Sequence, residues 1–110
     1  MPTETQYLQM VINKTSVLPR FCSKMLASIL SLDEAQSISL SKYIEAMGAS
    51  FQIQDDLIAC VSDEYAKERG IIGEDIHEGK RTLMVIHSLA AENKKITDAQ
   101  KQRLIHILNL

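Results

Sequence analysis

The sequence predicts an all-α fold, an antiparallel helical bundle. Three observations predict it. Apolar residues recur at three- and four-residue steps over long stretches, strand-like alternation is scarce, and only four glycines and two prolines interrupt 110 residues. The length suits one domain spanning 1–110. Hydrophobic residues make up 45% and charged residues 24%, the composition of a globular protein with a core of modest size.

The first helix should cover about 3–30. Thr3 and Gln6 have capping-box spacing, in which each side chain satisfies an orphan backbone donor. Tyr7, Val11, Lys14, Leu18, Phe21 and Met25 then fall on one stripe. Pro19 lies inside this helix, removes a backbone donor and predicts a kink there. A second helix should begin near Ser31 or Asp33 and cover about 32–62, with Ser31 and Glu34 at capping-box spacing and Leu40, Ile44, Met47, Phe51 and Ile58 as its apolar stripe. Residues 67–80 read as a loop, because Gly70, Gly73 and Gly79 break the pattern among frequent charges. A third helix should run from Thr82 to about Glu92. A fourth, about 97–109, should start at the capping box Thr97–Gln100.

A formal net charge of -2 argues against a nucleic-acid binder, which would carry a basic stripe. It leaves room for an anionic ligand held by local lysines or cations. Cys22 and Cys60 are far apart, lack metal-ligand spacing and read as reduced, buried thiols of a cytoplasmic protein. No apolar run is long enough for a transmembrane segment, and the start has no basic and apolar leader pattern. The sequon Asn13-Lys14-Thr15 then reads as chance. The stretch from Asp63 to Glu74 has the length of a calcium loop, but Tyr65, Lys67 and Glu68 occupy positions that need oxygen ligands or glycine. His77, His87 and His106 lack zinc-site context, and no nucleophile-elbow or phosphate-loop pattern occurs.

Three features carry possible chemistry. On a wheel of the second helix, Ser41, Glu45, Gly48, Gln52, Asp55, Asp56 and Ala59 form a small, polar arc beside the apolar stripe. Asp55 borders the stripe and should point inward. Adjacent carboxylates there need a compensating cation or donor, and oxygen-only ligands favour a hard ion such as Mg2+. On spacing alone, a solvated acidic pair on an exposed face is the favoured explanation. Lys14 sits on the apolar stripe of the first helix. Either its stem snorkels to water, or its ammonium reaches into a cavity to hold an anion, with the Thr15 hydroxyl beside it. The segment from Gly73 to Lys80, taken alone, reads first as a charged loop before a helix; the functional alternative is a loop that closes Lys80 over a ligand.

Together and in this order, these features resemble the trans-isoprenyl diphosphate synthases. Pro2-Thr3-Glu4, Tyr7, Met10-Val11 and Lys14-Thr15 resemble the lysine–threonine stretch of eukaryotic geranylgeranyl diphosphate synthases. Gly48 through Asp56, ending Phe51-Gln52-Ile53-Gln54-Asp55-Asp56, resembles the second aspartate-rich motif. Ser62-Asp63-Glu64-Tyr65, Glu74-Asp75-Ile76, Glu78-Gly79-Lys80 and Ile86-His87 resemble the stretch after that motif in the same subfamily. The resemblance covers about residues 2–90 and implies the C-terminal part of an isoprenoid synthase fold.

The resemblance also implies an activity, head-to-tail condensation of an allylic diphosphate with isopentenyl diphosphate using Mg2+. Asp55 would be a metal ligand and Asp56 its support. Lys14 and Lys80 would bind the allylic diphosphate, Thr15 and Gln52 would line its reacting end, and Asp75 would stand behind them. A homo-oligomer or a partner synthase chain would complete the assembly. Two departures matter. Ala59 stands where the motif often has a third carboxylate, and the family's first aspartate-rich motif has no counterpart here. The chain alone is therefore expected to be inactive. The alternative is a non-catalytic helical subunit that binds a partner synthase.

Overall fold

The computed structural model describes residues 1–109 and, among them, every side chain except those of residues 65, 66 and 69. All of the described regular structure is helical, as expected. In chain order it comprises α1 (Glu4–Val11), a π-helical segment (Ile12–Ser16), α2 (Val17–Ile29), α3 (Glu34–Val61), α4 (Asp63–Arg69), α5 (Glu74–His77), α6 (Leu83–Leu89) and α7 (Asp98–Ile107). The chain packs as two compact units, residues 8–52 and residues 1–7 with 53 onward.

In residues 8–52 the first helix is continuous, but its irregularity lies at 12–16 rather than at Pro19. The proline ring crowds the carbonyl of the residue four before it, which is Thr15, and the widened π turn covers that carbonyl. A π turn adds one residue to the helical period. The residue facing inward after Val11 is therefore Ser16, and Ser23 and Ala27 come next. This corrects the continuous apolar stripe. Val11 is buried, but Leu18, Phe21 and Met25 are 71%, 59% and 52% exposed.

A Schellman stop ends α2. The Leu32 N–H donates to Ala27 O at 2.9 Å and the Ser31 N–H to Ser28 O at 3.2 Å. Ser31 takes the left-handed conformation that this stop requires (φ 51). It is therefore not free to act as an N-cap, and the capping box forms at Asp33 and Gln36 instead of at Ser31 and Glu34. The chain then doubles back as an antiparallel hairpin. The Ser16 hydroxyl donates to the Glu45 carbonyl at 3.1 Å, and Arg20 pairs with Glu45 at 3.0 Å. A Cβ at Gly48 would lie 2.4 Å from Ser16 Oγ and 3.2 Å from Ser16 Cα, so the helices meet where neither has bulk. The hairpin closes through the small polar arc of α3, while Met47 and Phe51 of the expected apolar stripe stay exposed.

In the other unit, the Thr3–Gln6 capping box forms as expected, at 2.9 and 3.2 Å. Tyr7, Ala59, Val85 and Leu108 supply the buried apolar groups. The region expected as a loop over 67–80 is partly helical, since α4 reaches Arg69 and α5 makes one turn. The Gly73 N–H ties this region to α3 by donating to Ala59 O at 2.9 Å. Gly73 and Gly79 enter and leave α5 with left-handed φ of 73° and 69°. Helix α6 stops at Leu89, short of Glu92. Side chains take over its last carbonyls: Asn93 Nδ2 donates to His87 O at 2.9 Å and Lys101 Nζ to Ala90 O at 2.6 Å. The Thr97–Gln100 capping box opens α7 as expected. Among the described residues, no helix is long and apolar enough to cross a membrane.

Candidate functional site

Within residues 8–52 the π segment brings two of the expected site residues together. The Thr15 hydroxyl donates to Gln52 Oε1 at 2.8 Å in a half-buried setting, across 37 residues of sequence. The extra residue of the π turn carries Lys14 off the buried face. Its ammonium is exposed and makes no hydrogen bond or ion pair with the described residues. Lys14 therefore does not snorkel from a core position; it is an exposed cation without a partner among the described residues.

The aspartate pair lies in the other unit, and its geometry reverses one expectation. Asp55 is exposed and Asp56 is buried, 8% exposed. The inward face of α3 runs through Gly48, Gln52, Asp56 and Ala59, which leaves Asp55 about 100° off that face. The wheel placed Asp55 inward because it took the apolar stripe for the buried side.

Asp56 accepts a 2.6 Å hydrogen bond from the Tyr7 hydroxyl. Asp75 is also buried, and its Oδ1 lies 2.6 Å from Lys80 Nζ, which reaches Glu78 Oε2 at 2.7 Å as well. Burial raises the pKa of the Tyr7 hydroxyl above its ordinary value, and the hydrogen bond to Asp56 and the charges of Asp56 and Asp75 add to the shift. Burial also pushes the Cys60 thiol up, with Asp75 and Asp56 contributing, so this thiol is a poor nucleophile. The Lys80 ammonium is held charged by its hydrogen bonds to Asp75 and then Glu78, against a smaller opposing effect of burial. Asp75 is thus the buried partner of Lys80. Neither thiol is fully buried as expected: Cys60 is half-buried and Cys22 is exposed.

Among the described residues, no three His, Cys, Asp or Glu side chains are arranged to hold a metal ion. Asp55 offers a single exposed carboxylate with no hydrogen bond or ion pair to the described residues. That donor suits Mg2+, which keeps most of its waters and shares the remaining positions between one or two carboxylates and phosphate oxygens. A separate pocket lies between the N-terminal turn and α6, lined by residues including Pro2, Glu4, Ile86, His87 and Leu89; it contains none of the expected site residues. Two residues that matter were missed from sequence. Tyr7 looked like plain core, although a buried tyrosine hydroxyl needs a partner. Ser16 was hidden because the period change at the π turn is not written in any residue type. The side chain of Tyr65, part of the resemblance, lies outside the described residues.

A polyprenyl synthetase family profile matches residues 1–109. The chain belongs to the polyprenyl synthetase family. It is 40% identical to a geranylgeranyl pyrophosphate synthase of Penicillium shearii over 84% of its own length and 23% of the relative's. It is 36% identical to a short chain isoprenyl diphosphate synthase of Methanocaldococcus jannaschii over 97% of its length and 31% of the relative's. It is 38% identical to a geranylgeranyl pyrophosphate synthase of Penicillium janthinellum over 93% and 27%. The chain therefore spans between about a quarter and a third of these polyprenyl synthetases. No solved structure gives a significant match.

Proposed function

We propose that this chain is the C-terminal part of a geranylgeranyl-type polyprenyl diphosphate synthase, and that 1–110 forms one wall of the enzyme's cavity in the cytoplasm. The carrying observation is that the family match runs through Asp55, whose carboxylate is exposed and without a partner among the described residues, while its neighbour Asp56 is buried. In the parent enzyme the C–O bond of an allylic diphosphate breaks, the carbocation alkylates isopentenyl diphosphate, and a proton is lost. Bound Mg2+ supplies positive charge for the departing diphosphate. Asp55 would hold that ion, and Asp56 would support it from within the helix. Lys14 and Lys80 hold the diphosphate by charge. Thr15 and Gln52 line the reacting end, and Asp75 keeps Lys80 in place.

The chain by itself lacks a counterpart to the first aspartate-rich motif and should be inactive. The test is incorporation of radiolabelled isopentenyl diphosphate with farnesyl diphosphate and Mg2+. The 110-residue chain should give no product. A chimera in which it replaces the matching segment of the Penicillium shearii relative should be active, and Asp55→Ala should lower that activity by at least about 100-fold, the scale of losing charge stabilisation at a reacting centre. Turnover by the chain alone, or a chimera indifferent to Asp55→Ala, contradicts the reading.

One observation favours a second reading, a non-catalytic subunit bound to a partner synthase. The outer face of α2 exposes Leu18, Phe21, Met25 and Ile29. A stable complex with a purified full-length synthase, seen by pull-down and mass measurement, supports it. Self-association without such a complex excludes it.

A further inference from the structure

We infer that Tyr7 is the positioning residue of the aspartate pair: its hydroxyl anchors Asp56 inside the protein and leaves Asp55 as the carboxylate that meets a cation. The inference rests on the proposed role of Asp55. Neighbouring carboxylates on a helix point about 100° apart, so one protein surface cannot serve both. Asp56 falls on the inward face, where a carboxylate needs strong donors.

Tyr7 supplies such a donor from 49 residues upstream. The 2.6 Å separation is that of a charge-assisted O–H···O⁻ bond. The donor is itself fixed. Tyr7 is 3% exposed, its N–H donates to Thr3 O at 2.9 Å, and Thr3 is locked in the capping box with Gln6. A buried phenol has two side-chain torsions, both held by packing, so it fixes Asp56 in direction as well as in depth. With Asp56 tied inward, the end of α3 presents a single carboxylate outward, and its direction is set by the helix rather than by a second acid.

The test uses Mn2+ as a paramagnetic stand-in for Mg2+ on the 110-residue chain, read as broadening of backbone amide NMR signals around Asp55. Four proteins are compared: wild type, Asp55→Asn, Tyr7→Phe, and Val85→Ala as another buried substitution in the same unit. Wild type should show saturable broadening centred on Asp55, and Asp55→Asn should abolish it. Tyr7→Phe keeps the ring and should weaken Mn2+ binding about tenfold, the scale of losing a group that orients a metal ligand. Val85→Ala should lower the thermal midpoint and leave Mn2+ binding unchanged. Broadening that is absent in wild type, or that survives Asp55→Asn, overturns the role of Asp55 and the inference with it. If Asp55→Asn abolishes binding while Tyr7→Phe binds as wild type does, or if Val85→Ala weakens binding as much as Tyr7→Phe, the role of Asp55 stands and the positioning role of Tyr7 is overturned.

Discussion

In residues 8–52 the buried polar side chains are small. Ser16 and Ser23 donate to backbone carbonyls, and Ser16 lies against Gly48. In the unit of residues 1–7 and 53 onward they include two carboxylates, Asp56 and Asp75, held by the long reach of Tyr7 and Lys80. The first arrangement lets two helix backbones approach closely, and added volume should break it. The second keeps negative charge out of water, and loss of donors or a change of protonation should break it. The contrast explains why the hairpin exposes its apolar stripes, since its closest packing uses residues too small to cover them.

The largest effect should come from volume in the hairpin. Gly48→Val should cost about 3 kcal/mol in urea unfolding, because Ser16 Cα is backbone and cannot yield. Gly48→Ala should cost less, about 1–2 kcal/mol, after the helix-propensity gain of alanine offsets part of the clash. Combining it with Ser16→Gly should recover part of that loss. Equal stability of Gly48→Val and wild type would show that the helices do not approach as described.

Next should come the donors of the acidic centre. Tyr7→Phe removes one buried hydrogen bond to a charged group and should cost about 1–3 kcal/mol. The pH dependence sharpens the same point. Tyr7 and Lys80 both have folded-state pKa values raised above their ordinary values of 10.0 and 10.5. A raised folded pKa means the native state keeps a proton that the unfolded chain releases. The stabilisation is complete below about pH 10 and is lost as pH rises further toward the folded values. The thermal midpoint should therefore fall above pH 10, and the fall should be shallower in Tyr7→Phe and in Lys80→Met. An unchanged slope in both variants would contradict the described environment.

The smallest effect should be a gain. Ser31→Gly relieves a left-handed residue at the end of α2 and should stabilise the hairpin by about 0.5–1 kcal/mol. A loss of stability would show that Ser31 is held by contacts beyond its backbone conformation.

Much of this was legible in the sequence, and the rest was hidden for identifiable reasons. Helical periodicity revealed the class, and the capping boxes at Thr3–Gln6 and Thr97–Gln100 marked two helix starts within a residue. The Ser31–Glu34 box failed because two overlapping cap patterns competed and the α2 stop claimed Ser31. The stripe through Leu18, Phe21 and Met25 failed because one added residue in the π turn rotates everything after it. Of the candidate site residues, Thr15 and Gln52 lie on facing helices and do meet. The inward placement of Asp55 failed because hydrophobicity was taken to mark the buried face, whereas small size marks it in α3.

The central claim is that two adjacent aspartates have opposite surroundings, Asp55 facing water and Asp56 tied to Tyr7. Urea unfolding of Asp55→Ala and Asp56→Ala at neutral pH tests it directly. The helix-propensity gain of alanine is common to both variants and cancels in the comparison. Asp55→Ala should stay within about 0.5 kcal/mol of wild type, whereas Asp56→Ala should lose about 2 kcal/mol or more by leaving the buried Tyr7 hydroxyl without its acceptor. Equal losses, or a larger loss for Asp55→Ala, would contradict the account.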